Sequence, residues 1–84
     1  MILIVDDDRA VRSSLSLLLK RAGYETLSVA SPQEATDCIR VSKPQLVLLD
    51  MNFSLSTTGE EGILLLRQIK LFHPDVPVIL MTAW

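Results

Sequence analysis

Three consecutive aspartates, Asp6, Asp7 and Asp8, follow a short apolar run, and a fourth, Asp50, closes a second apolar run further along the chain. A threonine, Thr82, ends a third. If the strands carrying these residues are neighbours, their polar ends converge in one shallow pocket. Carboxylates held together repel one another, by roughly 4 kcal/mol per pair at 4 Å with an effective dielectric near 20. That repulsion is relieved by protonating one of them or by binding a cation. A site with only oxygen ligands favours Mg²⁺, which takes one or two carboxylates, waters and phosphate oxygens. The chemistry such a pocket can do is phosphoryl transfer, a carboxylate attacking a phosphorus whose charge the metal offsets. A plainer reading of Asp6, Asp7 and Asp8 is helix capping, and one of them, Asp8, is suited to it.

The elements that must position these side chains alternate along the chain. Residues 1–5 are apolar and β-branched, as in a strand buried on both faces. From Asp8 the period becomes helical: Val11, Leu15, Leu18, Leu19 and Ala22 share one face, with Arg9, Arg12 and Lys20 on the other, and Gly23 supplies the stop. Residues 24–29 alternate as a strand whose wetter face, Glu25 and Ser28, suits a sheet edge. Ser31, Pro32 and Glu34 open a second helix as cap, first helical residue and capping-box partner. That helix buries Ala35, Cys38 and Ile39 and ends before Pro44. Residues 45–49 form a third strand ending at Asp50. After a polar loop over 52–58, Thr58 to Glu61 reads as another capping box, and Ile63, Leu65, Leu66, Ile69 and Phe72 line a third helix. Residues 78–81 are a fourth strand. The order β-α-β-α-β-α-β demands parallel strands with right-handed crossovers, a doubly wound α/β sheet that binds ligands at the carboxyl ends of its strands.

Composition excludes several other classes. Of the 84 residues 49% are hydrophobic and 21% charged, the balance of a globular domain rather than a disordered segment. The net charge of −2 argues against direct nucleic-acid binding. The apolar runs are too short to span a bilayer, and residues 1–8 lack the basic start and cleavage site of a signal peptide, so no membrane contact and a cytoplasmic location are expected. One cysteine, Cys38, permits no internal disulfide and reads as a small buried hydrophobe. The glycines, Gly23, Gly59 and Gly62, sit at helix ends and form no phosphate loop. His73, beside Pro74 at a helix terminus, reads as a residue favoured by the helix dipole, not as a ligand or base.

The run Ile2-Leu3-Ile4-Val5-Asp6-Asp7-Asp8-Arg9, the strand Gln45-Leu46-Val47-Leu48-Leu49-Asp50 and the strand Val78-Ile79-Leu80-Met81-Thr82-Ala83 together resemble the response-regulator receiver family of two-component signalling. The resemblance covers all 84 residues in order. It implies a flavodoxin-like fold, with strand order 2-1-3-4-5 in the complete family domain. It also implies that Asp50 accepts a phosphoryl group from a histidine kinase, a phosphotransfer protein or a small phosphodonor. On the same resemblance Asp7, Asp50 and the backbone carbonyl of Asn52 ligate Mg²⁺, and Asp6 acts through water. Thr82 supplies a switch hydroxyl and the backbone N–H of Ala83 assists at the phosphoryl group. Trp84 falls near a surface that receivers rearrange on activation. The segments Asp50 to Phe53 and Met81 to Trp84 resemble receivers attached to sigma-54-type transcriptional activators.

Two departures from the family pattern stand out. A proline is usual four residues after the acceptor, where this chain has Ser54, and the loop runs longer before Gly59 and Gly62. The sequence also stops at Trp84, before the helix, the fifth strand with its phosphate-binding lysine and the last helix that the resemblance implies. Residues 1–84 are therefore expected to be the N-terminal part of one receiver domain, with slow or undetectable phosphoryl transfer in this chain alone. The fourth strand is expected to be an exposed apolar edge that swaps or pairs with a copy of the chain, unless the chain is a piece of a longer protein. Two other readings compete. One is a receiver-like interaction or dimerisation module that no longer cycles phosphate. The other is a Mg²⁺-dependent phosphohydrolase, for which no dedicated acid or base is found near Asp50.

Overall fold

The first strand, β1 (Ile2–Val5), is buried along its whole length, which only a strand covered on both faces achieves. A computed structural model, describing residues 1–51 and 60–81, follows it with α1 (Arg9–Arg21), β2 (Thr26–Val29), α2 (Pro32–Val41), β3 (Leu46–Asp50), α3 (Glu60–Phe72) and β4 (Val78–Met81). The strands form one parallel sheet in the order β2-β1-β3-β4. Val5 lies level with Val29 on one side and Leu49 on the other, and Asp50 lies level with Met81. The alternation of the sequence is thus met in full: a doubly wound α/β sheet with the predicted neighbours. Because the strand order reverses at β1, right-handed crossovers send α1 to one face and α2 and α3 to the other.

The alternation within each strand divides the core. Leu3, Val5, Val47 and Leu49 point toward α2 and α3 and pack with Ala35, Cys38, Ile39, Leu65 and Ile69. Ile2, Ile4 and Leu48 point toward α1, where Leu15 and Leu19 partly cover them. Each fully buried aliphatic side chain contributes roughly 1.5–3 kcal/mol.

Local signals explain the helix ends. Asp8 caps α1 by accepting from the N–H groups of Ala10 and Val11. At its other end Gly23 takes φ +94°, and the N–H groups of Gly23 and Tyr24 donate to Lys20 and Leu19 carbonyls in the paired pattern of a left-handed helix stop. Ser31 caps α2 and Pro32 occupies its first turn. Glu34 reaches back to the N–H of Ala30 at 3.1 Å, one residue earlier than in an ordinary capping box.

Several expectations are corrected. β2 begins at Thr26, not at residue 24. α1 buries none of its residues, and Leu18, assigned to its inner face, is 64% exposed. On α3, Leu65 and Ile69 are buried but Ile63 and Phe72 are exposed. Arg12 is not on the solvent face: it is half-buried and turned back toward Asp6. The capping box expected over Thr58 to Glu61 lies largely outside the described residues.

Candidate functional site

The pocket begins where β1 leaves the sheet. Asp6 is still held by the ladder through its N–H, which donates to Val29 at 3.2 Å. One residue later the chain must turn into α1. The Asp6 carboxylate accepts from the N–H of Asp8 at 2.8 Å and fixes that turn. Asp8 in turn caps the helix, its Oδ1 accepting from Ala10 at 2.8 Å and Val11 at 3.3 Å. Asp50 arrives from the neighbouring strand as the last residue of β3, and the N–H of Met51 donates to Met81 to hold that end. Parallel pairing of β1 with β3 therefore brings the two acidic ends together.

The carboxylate oxygens of Asp6, Asp7 and Asp50 converge within 4.8 Å of one another. Asp6 is buried, Asp50 half-buried and Asp7 exposed, so the group opens to solvent on one side. At that separation each ionised pair repels by on the order of 3 kcal/mol at an effective dielectric near 20. Asp6 carries the consequence. Burial pushes its carboxyl above the ordinary range, the hydrogen bond from Asp8 pulls it back, and the charges of Asp50, Asp7 and Asp8 push it further up. Hard oxygen donors grouped around an open point fit a small divalent cation such as Mg²⁺.

Of the sequence-derived site residues, Asp6, Asp7 and Asp50 are brought together, while Asn52, Thr82 and Ala83 lie outside the described residues, as does Trp84. His73 sits just past α3, away from the aspartates, and its Nε2–H donates to the Ile39 carbonyl at 2.9 Å, joining α3 to α2. Cys38 is buried and unpaired, its Sγ 3.4 Å from the Ser42 hydroxyl. Two open hollows of about 330 and 390 Å³ lie elsewhere, between α2 and α3 and at the opposite sheet edge around Lys43, His73 and Pro77.

Two residues near the pocket escape a reading by composition. Arg12 donates through Nη1 to the Asp6 carbonyl at 2.8 Å. The available signal was directional: helix side chains lean toward the N-terminus, so a long one in the first turns reaches back past the cap. Gly62 is the other. A Cβ there would meet Met51 at 2.9 Å from Sδ and 3.1 Å from Cα, so α3 approaches the residue after Asp50 closely only because Gly62 has no side chain.

A parallel sheet reversing at β1, with three aspartates gathered at its carboxyl edge, defines a doubly wound α/β domain with an acidic ligand site. The chain matches the response regulator receiver domain over residues 2–84 and belongs to that family, the receiver component of two-component signalling. It is 37% identical over 83 residues to sporulation initiation phosphotransferase F of Bacillus subtilis, covering 99% of this chain and 64% of that protein. It is 39% identical to the transcriptional regulator NtrC of Klebsiella pneumoniae, covering 95% of this chain and 16% of that one. Among solved structures, a CheY-like receiver protein from Methanospirillum hungatei superposes with a TM-score of 0.89 at 31% identity, over 99% of this chain and 63% of that one. TrrA of Thermotoga maritima, solved in complex with Mg²⁺ and beryllofluoride, superposes with a TM-score of 0.86 at 29% identity, over 99% of this chain and 69% of that one. The chain thus spans less than two thirds of the first three of these proteins. No helix among the described residues is long and apolar enough to cross a membrane.

Proposed function

We propose that residues 1–84 are part of one receiver domain in which Asp50 accepts a phosphoryl group. The observation that carries this reading is the convergence of the Asp6, Asp7 and Asp50 carboxylates within 4.8 Å at the carboxyl edge of a parallel sheet. In the transfer, an Asp50 carboxylate oxygen attacks phosphorus, the new P–O bond forms, and the bond to the donor breaks with its electron pair leaving on the donor. The donor is the phosphohistidine of a kinase or phosphotransfer protein, or a small acyl phosphate, and the product is an aspartyl phosphate. Asp7, Asp50 and the Asn52 carbonyl are the proposed Mg²⁺ ligands, with Asp6 acting through water. Bound there, the cation supplies positive charge to the phosphoryl oxygens. Thr82 contributes the switch hydroxyl and Ala83 a backbone N–H. The domain works in the cytoplasm as a switch, with no direct contact to nucleic acid or membrane.

Labelling with a radioactive small phosphodonor tests this. Label that requires Mg²⁺ and disappears in Asp50→Asn supports it; label that persists in Asp50→Asn sinks it. Saturable Mg²⁺ binding without any label, in a chain extended through the lysine-bearing fifth strand that the family pattern implies, favours the second reading, an interaction or dimerisation module that does not cycle phosphate.

One observation favours an interacting role beside the switch. Among the described residues β4 is an uncharged sheet edge with Ile79 51% and Leu80 44% exposed, and such an edge is a template for strand pairing. Two copies pairing or swapping through β4 would cover it. Sedimentation should then show a dimer that Ile79→Lys converts to monomer, and a monomeric parent chain at high concentration would remove the idea.

A further inference from the structure

The pocket hangs on a turn whose outer wall is not the sheet but α1, and Arg12 ties the two together. Its backbone N–H donates to the Asp8 carbonyl at 3.1 Å as part of the helix, while its guanidinium reaches back to the Asp6 carbonyl at 2.8 Å. That carbonyl lies one residue beyond the end of β1. It is also half of the peptide that leads into Asp7, so its direction sets the plane from which the Asp7 side chain departs.

The other ties on this turn act on neighbouring groups. The N–H of Asp6 is held by Val29, its carboxylate by the N–H of Asp8, and the Asp8 carboxylate by the start of α1. Asp7 itself is exposed and lies between these anchors. The link from Arg12 acts on the Asp6–Asp7 peptide itself, through the Asp6 carbonyl.

We infer that Arg12 is a positioning residue for the Mg²⁺ site, holding the Asp6–Asp7 peptide so that Asp7 faces Asp50. This inference rests on the proposed cation site. Arg12 touches neither the cation nor the phosphoryl group; it acts through the backbone of a ligand. The chemistry suits arginine, whose planar fork spans the distance from the helix and stays charged at every working pH.

Charge and position make opposite predictions, which makes the inference testable. A positive charge beside a cation site weakens metal binding, so an arginine acting by charge alone would be replaced by an apolar residue with a gain in affinity. An arginine acting by position is replaced with a loss. Removing a group that orients a metal ligand commonly lowers affinity on the order of tenfold or more.

Mg²⁺ titration by calorimetry on the parent chain, Arg12→Met and Arg12→Lys separates these cases, with metal-free thermal unfolding of each as the folding control. The expected result is a weakening of about tenfold, equal to about 1.4 kcal/mol, in both variants. In an Asp7→Asn background the effect of Arg12→Met should largely disappear, as coupled residues require. A Mg²⁺ affinity that is unchanged or tighter in a folded Arg12→Met chain overturns the inference and leaves the cation site standing. So does an Arg12→Met loss that is equally large with Asp7→Asn. No saturable Mg²⁺ binding by the folded parent chain overturns the cation site, and the role of Arg12 falls with it.

Discussion

On the side of α2 and α3 the sheet buries Leu3, Val5, Val47 and Leu49 completely against Ala35, Ile39, Leu65 and Ile69. On the side of α1 it buries Ile2, Ile4 and Leu48, with Leu15 and Leu19 only partly over them and Leu18 turned to solvent. Both faces belong to the same strands, so propensity does not separate them. Among the described residues two helices, α2 and α3, lie over the first face and α1 alone over the second. It also bears on the site. Asp6 and Asp50 directly follow Val5 and Leu49, two residues locked into the well-covered face. Asp7 and Asp8 lead into the helix of the thinner one. The acidic pocket is therefore anchored firmly on one side, and on the other by discrete hydrogen bonds that the Asp8 N–H and the Arg12 guanidinium donate to Asp6.

The largest expected effect tests that asymmetry directly. Leu49→Ala should cost about 2–5 kcal/mol, the range for truncating a buried leucine that its neighbours cannot fill. Leu19→Ala, on the thin face, should cost markedly less. Urea unfolding of the two variants compares them, and equal losses would show the α1 face to be as well packed as the other.

A smaller effect is expected where α3 meets the end of β3. Gly62→Ala places a methyl group against Met51, and overpacking of this kind costs about 1–3 kcal/mol. Met51→Ala should recover only part of that loss, because the Met51 Cα also lies within 3.1 Å of the added carbon. Full recovery would place the conflict in the methionine side chain alone.

The smallest effect concerns Asp6 and has a defined sign. Burial and the neighbouring aspartates raise its carboxyl in the folded chain. A raised acid favours the folded state when protonated, so this contribution is fully present below the unfolded value of about 3.9 and is lost as pH rises through the folded one. Asparagine mimics the protonated form. Asp6→Asn should therefore be more stable than the parent near pH 7 without divalent cations, and the gap should close toward pH 4. Added Mg²⁺ should stabilise the parent more than the variant, since a ligand that binds only the folded state stabilises by mass action. Denaturation at two pH values, with and without Mg²⁺, checks both signs; a variant less stable at pH 7 would mean that the charge on Asp6 is already compensated.

Much of this arrangement was legible in the residue pattern because its signals are local. Ser31-Pro32, Gly23 and the apolar run of β1 each act within a few residues, and the structure shows them capping, stopping and filling as read. The candidate acids were legible too, since a row of aspartates after a buried strand is more than a cap requires. Less legible were the exposed Leu18, Ile63 and Phe72. Helical periodicity says which residues share a face, but not whether a neighbour stands opposite that face.

What the sequence by itself determined is the succession of elements, their parallel sense and the placing of acids at strand ends, because these follow from short-range sterics, capping and the handedness of crossovers. What the tertiary structure decided is which side chains meet across that succession. The spacing of Asp6, Asp7 and Asp50, the reach of Arg12 to the Asp6 carbonyl and the approach of Gly62 to Met51 all depend on strand register and helix packing. Those are set by the whole core at once, since each contact joins segments that composition and periodicity treat separately.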